Sequence, residues 1–380
     1  MSEPRAPDQQ KGVLPREAIE ALIAEGAIAM RGAPGATQLQ PASIDLTLGR
    51  RAWRARASFL PGPGRSVQDR LNDGLLMHAL DLSEGAVLER GCVYLVELRE
   101  RLRLPADISG LANPKSSTGR IDVFVRLVTE SVNGGRVAFD EIPSGYEGPL
   151  YAEVCPRTFS IVAREGSSLN QARFRRGTAP IDDAALADLH AHSPLVDGPA
   201  RIDNGLQVSV DLVGDAPDAP IGWRARRHAA LIDVDVSGAC APEEYFDPIA
   251  APRQGFLILD PDEFYILASA EALAVPPDCA AEMAAVSPGL GEFRVHYAGF
   301  FDPGFGWAPD RHAQNPGANG ARAVLEVRSH DAPFMLEHGQ PVARLAYERM
   351  AARPGLLYGS DLASNYQGQS LKLSKHFRAD

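Results

Sequence analysis

The sequence predicts an all-β protein of barrel or sandwich type with a few short helices. From residue 44 onward, the chain consists of short apolar or alternating runs, each closed by Gly, Pro, Asn or Asp. The chain contains 35 glycines and 30 prolines, which punctuate strands and interrupt helices. Helical periodicity is confined to two short segments, and the strand pattern of the first half returns in the second half.

The composition is that of a soluble globular protein and argues against several classes of partner. Charged residues make up 23% and hydrophobic residues 45% of the 380 residues, a length sufficient for two domains. The net charge of −11 provides no basic field for nucleic acid. Because no apolar run reaches transmembrane length and the N-terminus is not signal-like, we expect no membrane contact and a cytoplasmic location. Four isolated cysteines predict reduced thiols and no structural zinc.

Each predicted element follows from a local pattern. A short amphipathic helix is predicted at residues 15–26, because Ile19, Leu22 and Ile23 share one face and Gly26 can end it. Strands are predicted at residues 44–48, 92–98, 121–128 and 150–154. Residues 181–192 predict a second short helix, and we interpret residues 181–200 as a linker between two halves.

The two halves repeat each other. Residues 101–107 have a counterpart in residues 272–278, and each segment follows a glutamate, Glu100 or Glu271. The strand around Glu153 matches the strand around Glu326, and the same offset carries residues 171–174 onto 344–347. Residues 42–46 are also similar to part of the segment 206–212. Shared motifs in one order predict an internal duplication, with a first repeat at residues 13–180 and a second at 201–380 that ends in a closing segment.

One six-residue segment suits the binding of phosphate. The sequence Lys115-Ser116-Ser117-Thr118-Gly119-Arg120 follows a strand-like run that Asn113-Pro114 breaks. A turn with serine hydroxyls, backbone N–H groups and an arginine fork suits phosphate oxygens, although the same composition is common in ordinary loops. In a chain of negative net charge, a phosphorylated ligand must be met by such a local cluster.

These motifs together resemble the dCTP deaminase branch of the trimeric dUTPase-like family. The resemblance covers roughly residues 12–375. The segments that carry it are the opening strand motif Pro41-Ala42-Ser43-Ile44-Asp45-Leu46-Thr47-Leu48-Gly49, the segment from Lys115 to Arg120, Ala298-Gly299-Phe300-Phe301-Asp302-Pro303-Gly304-Phe305, the strand Val324-Leu325-Glu326-Val327, and the closing segment Tyr366-Gln367-Gly368-Gln369.

The resemblance implies both a fold and a reaction. The fold is a tandem pair of distorted β-barrels of the β-clip type, and the reaction is the hydrolytic deamination of dCTP to dUTP and ammonia, on the route to dTTP. The family uses a glutamate as general acid/base, Mg²⁺ carried by the triphosphate, and active sites between neighbouring subunits. We therefore expect a homo-oligomer, with dTTP as a candidate inhibitor. Deamination by zinc would need a His-x-Glu segment with Pro-Cys-x-x-Cys, and the sequence contains neither.

Two glutamates compete for the catalytic role, because the repeats have lost different parts of the family pattern. The first repeat keeps the phosphate segment, whereas the second keeps Asp302-Pro303-Gly304. Our main hypothesis is one composite site per chain with Glu326 as acid/base. Phosphate would bind Lys115, Ser116, Ser117, Arg120 and Gln369, and base and sugar would bind Ala298, Asp302, Phe305, Tyr358 and Tyr366. In the alternative, like repeats form rings of three and Glu153 serves the first repeat.

The sequence also departs from the family pattern. Asn365 stands where the family has a lysine, and Lys372 or Lys375 is a candidate replacement. Residues 307–320 form an insertion, which we interpret as a surface loop rather than a lid. His296 and His312 lie nearby, but a single histidine on a strand is usually structural, so no metal is assigned.

Two other functions stay open at this point. A dUTP pyrophosphatase, alone or beside deamination, would share the fold and would use Asp302 to activate water. A nucleotide-binding protein with a decayed site would bind nucleotide without turnover.

Overall fold

The computed structural model describes most of the chain and divides it into two units. The described residues are 10–130, 135, 137–286, the backbone of 293–296, 299–307, 320–329, 331–359 and 371–378. The first unit contains the described residues within 1–178, 228–240 and 374–380. The second unit contains those within 179–227 and 241–373.

The elements are short and mostly extended, which confirms the all-β prediction. Up to residue 176 they are β1 (Gly12–Val13), α1 (Arg16–Ala24), β2 (Ile28–Met30), β3 (Ile44–Leu46), β4 (Leu48–Ala55), α2 (Val67–Arg70), a π-helical turn (Leu71–Leu75), β5 (Leu76–Asp81), β6 (Ala86–Leu88), β7 (Val93–Arg103), β8 (Ile108–Pro114), α3 (Ser116–Gly119), β9 (Val123–Thr129), β10 (Glu141–Ile142), β11 (Glu147–Pro156), β12 (Ile161–Ala163) and β13 (Asn170–Arg176).

The remaining elements begin with the second predicted helix. They are α4 (Asp183–His192), β14 (Leu206–Ser209), β15 (Gly222–Ala225), β16 (Ile232–Asp233), α5 (Pro242–Tyr245), β17 (Phe246–Ile249), β18 (Phe256–Leu259), β19 (Phe264–Leu273), β20 (Cys279–Ala285), β21 (Phe293–His296), β22 (Phe300–Phe301), β23 (Ala321–Ser329), β24 (Phe334–Glu337) and β25 (Pro341–Arg349). No helix in the described part of the chain is long and apolar enough to cross a bilayer.

The described residues of the first unit form three sheets. One has the order β5-β4-β7-β11-β9 with β2 beside β7, and another has the order β1-β13-β8-β10 with β3 beside β13. The third sheet joins β16, β12 and β6. The middle of β11 is buried on both faces from Leu150 to Val154, so the charged residue Glu153 lies inside the unit.

The second unit repeats this plan around its own core. Its larger sheets have the orders β17-β15-β19-β23-β21 and β14-β25-β20-β22, and β18 pairs with β24. Leu267, Leu325 and Leu345 are fully buried in one apolar cluster. Leu186 of α4 is fully buried in the same cluster, so the helix that we interpreted as a linker is part of the second unit.

Equivalent hydrogen bonds show the duplication in three dimensions. Glu100 accepts from the N–H and hydroxyl of Thr47 at 2.9 and 2.6 Å, and Glu271 accepts from the same groups of Ser209 at 2.9 and 2.5 Å. Thr47 is therefore the counterpart of Ser209. An alignment of the similar segments Ser-Ile-Asp-Leu and Ser-Val-Asp-Leu would instead pair Ser43 with Ser209. The similarity in sequence is therefore shifted relative to the structural repeat.

Two segments from the second half of the chain belong to the first unit. Strand β16 runs parallel to β12. Arg164 holds it through the two oxygens of Asp233, at 2.7 and 2.6 Å, and through Asp235 at 3.2 Å. The tail at residues 374–378 joins the same segment, because the N–H groups of Gly238 and Cys240 donate to tail carbonyls at 2.9 and 3.0 Å. The predicted domain 201–380 differs from the observed unit at these segments, since such long-range pairing leaves no local pattern.

Equivalent turns follow β10 and β22. Gly145 and Gly304 both have positive φ, at 68° and 96°. The next residues, Tyr146 and Phe305, accept main-chain hydrogen bonds at matching places, at 2.9 and 2.8 Å. The first-repeat turn thus keeps its backbone although it has no aspartate.

Burial of one tail histidine should make stability depend on pH. His376 is 2% exposed, and burial lowers the pKa of its imidazole from 6.5 to about 4. Between these values the unfolded chain binds more protons, so this contribution is complete above pH 6.5 and is lost as the pH falls towards 4. The loss should reach about 3 kcal/mol.

Denaturant unfolding of His376→Gln at pH 7 and pH 4.5 should show a flatter pH dependence than the unsubstituted chain. His78→Gln is the matched control, because His78 is exposed on β5. Identical pH dependence in all three proteins would contradict the assignment.

A second prediction concerns the turn after β22. A Cβ at Gly304 would lie 2.8 Å from Leu357 Cβ and 2.9 Å from the Tyr358 nitrogen, whereas a Cβ at Gly339 would meet no atom within 4 Å. Both glycines have positive φ, so the backbone strain is similar. We expect Gly304→Ala to lose about 2 kcal/mol more stability in thermal unfolding than Gly339→Ala. Equal losses would show that the contacts of this turn are unimportant.

Candidate active site

The phosphate segment forms a single helical turn at the end of a strand. Strand β8 ends at Pro114, and Lys115 is the N-cap of α3. The Lys115 carbonyl accepts hydrogen bonds from the N–H groups of Thr118 and Gly119 at 2.8 and 3.0 Å. Ser116 is exposed, whereas Ser117 and Arg120 are buried, with 7% and 3% exposure. The fold thus brings the predicted phosphate residues of the first repeat into one compact turn.

Lys115 also lines a polar cavity within the first unit. Its ammonium contacts the Asp45 carboxylate, and both side chains border a cavity of about 310 Å³. Glu100, a third lining residue, is 1% exposed. Burial raises the pKa of its carboxyl, and hydrogen bonds from Thr47 and Gln38 oppose this rise. Charges of both signs therefore lie beside the phosphate segment.

The C-terminal tail lies against the phosphate segment, which no motif indicated. The Ser374 hydroxyl donates to the Ser117 carbonyl at 2.8 Å and lies 2.8 Å from Nδ1 of His376. Between these two tail residues, Lys375 has a lowered pKa, mainly because of burial and next because of the Lys115 ammonium. The sequence contained one usable signal, since the chain has only four lysines and two of them, Lys115 and Lys375, lie in the phosphate segment and the tail.

Glu153 is held by an arginine. It is 1% exposed, and its Oε1 accepts hydrogen bonds from Nε and Nη2 of Arg126 at 3.1 and 2.6 Å. The guanidinium lies over the rings of Phe124 and Phe139, 4.8 and 3.5 Å from their centroids. Oε2 of Glu153 is buried and has no hydrogen-bond partner among the described residues. This carboxylate is therefore fixed as part of an ion pair.

Glu326 occupies the equivalent place in the second unit but has a different cross-strand neighbour. It is 5% exposed on β23, opposite Ile266 of β19 and His296 of β21. The register that puts Arg126 opposite Glu153 thus puts a histidine opposite Glu326. The residue type at this register position thus differs between the repeats, arginine in the first and histidine in the second.

The turn after β22 gathers three of the predicted base- and sugar-binding residues. The ring centroid of Phe305 lies 4.9 Å from that of Phe301 and 5.7 Å from that of Tyr358. The Pro303 carbonyl accepts from the Tyr358 N–H at 2.8 Å, and Asp302, which is 7% exposed, begins the turn. Asp302, Phe305 and Tyr358 therefore belong to one local cluster.

Several predicted residues lie outside the described part of the chain. These are Ala298, Tyr366 and Gln369, together with His312 and residues 308–319 of the insertion. Within the described ranges, no three His, Cys, Asp or Glu side chains are grouped so as to hold a metal ion. Because the phosphate segment and Glu153 belong to the first unit and Glu326 belongs to the second, the choice of catalytic glutamate stays a prediction.

Family models match both halves of the chain. A model described as the N-terminal domain of 2'-deoxycytidine 5'-triphosphate deaminase matches residues 10–178. The model of the C-terminal domain of the same enzyme matches residues 182–377. The boundary between the two matches falls just before α4.

Similar proteins give the same result. The crystal structure of 2'-deoxycytidine 5'-triphosphate deaminase from Agrobacterium tumefaciens is 50% identical, with a TM-score of 0.84, over 90% of this chain and 100% of that chain. The dCTP deaminase of Shewanella loihica is 29% identical over 177 residues, 41% of this chain and 89% of that protein. A Halobacterium salinarum protein named "dCTP deaminase, dUMP-forming" is 26% identical over 124 residues, 32% of this chain and 64% of that protein. The chain therefore belongs to the dCTP deaminase family.

Proposed function

We propose that the chain hydrolyses dCTP to dUTP and ammonia with Glu326 as the general acid/base. The chain belongs to a family of enzymes that are named for this reaction. The observation that carries the choice of glutamate is the difference in cross-strand neighbours. Arg126 donates two hydrogen bonds to Glu153, whereas His296 lies opposite Glu326 in the strand register. A carboxylate that is ion-paired with a guanidinium is a poor proton acceptor, because the positive charge stabilises its deprotonated form.

The reaction needs one water molecule and one carboxylate that moves protons. The carboxylate takes a proton from water as the oxygen attacks C4 of cytosine, and delivers that proton to N3. It then takes the proton of the new C4 hydroxyl and delivers it to the amine. The C4–N4 bond breaks, ammonia leaves and the C4 carbonyl of uracil forms. Such acid/base catalysis supplies about two to four decades of rate, and positioning supplies much of the rest.

The triphosphate is assigned to Lys115, Ser116, Ser117 and Arg120, with Gln369 from the closing segment. Support comes from the turn α3, which carries two serine hydroxyls and has a cationic residue at each end. Mg²⁺ would arrive on the triphosphate as part of the substrate, and no resident metal site is assigned. Zinc is not invoked, because the sequence lacks the ligand motifs of zinc deaminases.

Cytosine and deoxyribose are assigned to the second repeat. The neighbouring rings of Phe305 and Tyr358 support apolar contact with the planar base, and the Asp302 carboxylate is a suitable acceptor for the sugar hydroxyl. Ala298 and Tyr366 complete this assignment on the basis of the family resemblance. Inhibition by dTTP and assembly into a homo-oligomer are proposed on the same basis.

A second candidate activity is the hydrolysis of dUTP to dUMP and pyrophosphate. The dUMP-forming name of the Halobacterium salinarum relative favours it. In that activity the product of deamination would react again at phosphorus before release.

The decisive comparison is between Glu326→Gln and Glu153→Gln. An amide cannot take up the proton from water, so Glu326→Gln should lower ammonia release from Mg²⁺-dCTP by at least about a hundredfold. Glu153→Gln should keep most of the activity, although loss of the ion pair with Arg126 should lower its thermal stability. Ammonia and nucleotide products are measured together, with thermal unfolding of each variant as the folding control.

The same assay distinguishes the alternatives. Loss of activity in Glu153→Gln alone would place the catalytic carboxylate in the first repeat. Release of dUMP and pyrophosphate would establish the second activity. Nucleotide binding without any turnover in the unsubstituted chain would overturn the proposed function.

A further inference from the structure

We infer that Lys375, in the C-terminal tail, joins Lys115 in binding the triphosphate of the nucleotide. The inference rests on the proposed function and adds a residue to the same site. Lys375 lies after the closing segment at residues 366–369, and the sequence left open whether Lys372 or Lys375 replaces the lysine that the family pattern has at position 365.

The distribution of lysine is the first observation. The chain carries 38 lysines and arginines, of which only four are lysines, namely Lys11, Lys115, Lys372 and Lys375. Arginine therefore serves nearly all the ordinary surface and ion-pair roles of this chain. Lysine differs by presenting a compact ammonium on a flexible stem, which can follow the oxygens of a triphosphate as a point charge. Two of them belong to one place in the first unit, since Lys115 begins the phosphate segment and Lys375 follows Ser374, whose hydroxyl donates to the Ser117 carbonyl.

The second observation is that the tail is attached to the phosphate segment itself. Ser374, which is 2% exposed, donates to the carbonyl of Ser117 at 2.8 Å. On the other side of Lys375, His376 is also 2% exposed, with Nε2 3.0 Å from the Val234 carbonyl. The Lys375 carbonyl itself accepts from a main-chain N–H at 2.9 Å. The backbone of Lys375 is thus fixed on both sides at the segment that the proposed function gives to phosphate.

The two ammonium groups at this place attract an anionic ligand. The ammonium groups of Lys115 and Lys375 repel each other, and burial removes part of the water that would screen them. Asp45 contacts Lys115, and Asp45 and Asp235 both favour the charged form of Lys375. A triphosphate would bring several further negative charges to these cations and to Arg120. This arrangement also supplies a lysine to a site in which Asn365 replaces the lysine of the family pattern.

The test compares steady-state kinetics of Lys375→Gln, Lys375→Arg and Arg378→Gln with Mg²⁺-dCTP. Lys375→Gln should raise KM about tenfold with kcat within about twofold, since a phosphate contact binds substrate and transition state alike. Lys375→Arg keeps the charge and should recover most of the affinity. Arg378→Gln is the matched control, because Arg378 lies on the same tail, carries the same charge and is exposed.

Three results would overturn the inference. One is an unchanged KM in Lys375→Gln. Another is an equal rise in KM in Arg378→Gln, which would indicate a general effect of tail charge. The last is a fall in kcat at constant KM, which would indicate a role outside ground-state phosphate binding.

A second experiment needs no substitution at Lys375. The unsubstituted chain is acetylated by an activated acetate ester with and without saturating Mg²⁺-dCTP, and modification of each lysine is followed by mass spectrometry. Bound nucleotide should slow acetylation of Lys375 and Lys115 at least threefold and leave that of the exposed Lys11 unchanged. Absence of protection at Lys375 would overturn the inference. Protection without ammonia release would support it while overturning the proposed deamination.

Discussion

A carboxylate buried inside a β-sheet must be hydrogen-bonded or ion-paired, because its transfer from water costs several kcal/mol. Two glutamates occupy equivalent places in the central sheets of both repeats, Glu100 with Glu271 and Glu153 with Glu326. Glu100 and Glu271 meet this requirement in the same way, since each accepts from the N–H and the hydroxyl of one residue, Thr47 or Ser209. These bonds are structural in both repeats. Because both repeats share them, they provide a reference for comparing other residues of the two repeats.

The second pair of glutamates departs from that symmetry. Glu153 is neutralised by Arg126, whose guanidinium is also covered by two phenyl rings. Glu326 has a histidine at the corresponding cross-strand position. Strand order and register are the same in the two units, so the two repeats differ at this register position in residue type, arginine in the first and histidine in the second. The divergence of the repeats is thus a chemical change on a conserved backbone plan.

Segments from the second half of the chain complete the first unit. The ion pairs of Arg164 hold β16, and the tail then pairs with residues 238–240 and reaches the carbonyl of Ser117. Through this docking, Lys375 lies near Lys115 although 260 positions separate them in the sequence numbering. The order of segments along the chain therefore differs from their grouping in space, and the phosphate segment is supported by residues that no motif connects with it.

Several features of this protein follow from local patterns in its sequence. Alternation with Gly and Pro punctuation specified an all-β chain, recurrent motifs specified the duplication, and the segment from Lys115 to Arg120 together with Asp302 and Glu326 indicated the family. Contacts between residues that are far apart in the chain depend instead on the tertiary structure. Arg126 pairs with Glu153 across 27 positions, and Ser374 bonds Ser117 across 257. Strand register and the docking of the tail depend on the packing of the whole unit, so no local sequence pattern predicts them.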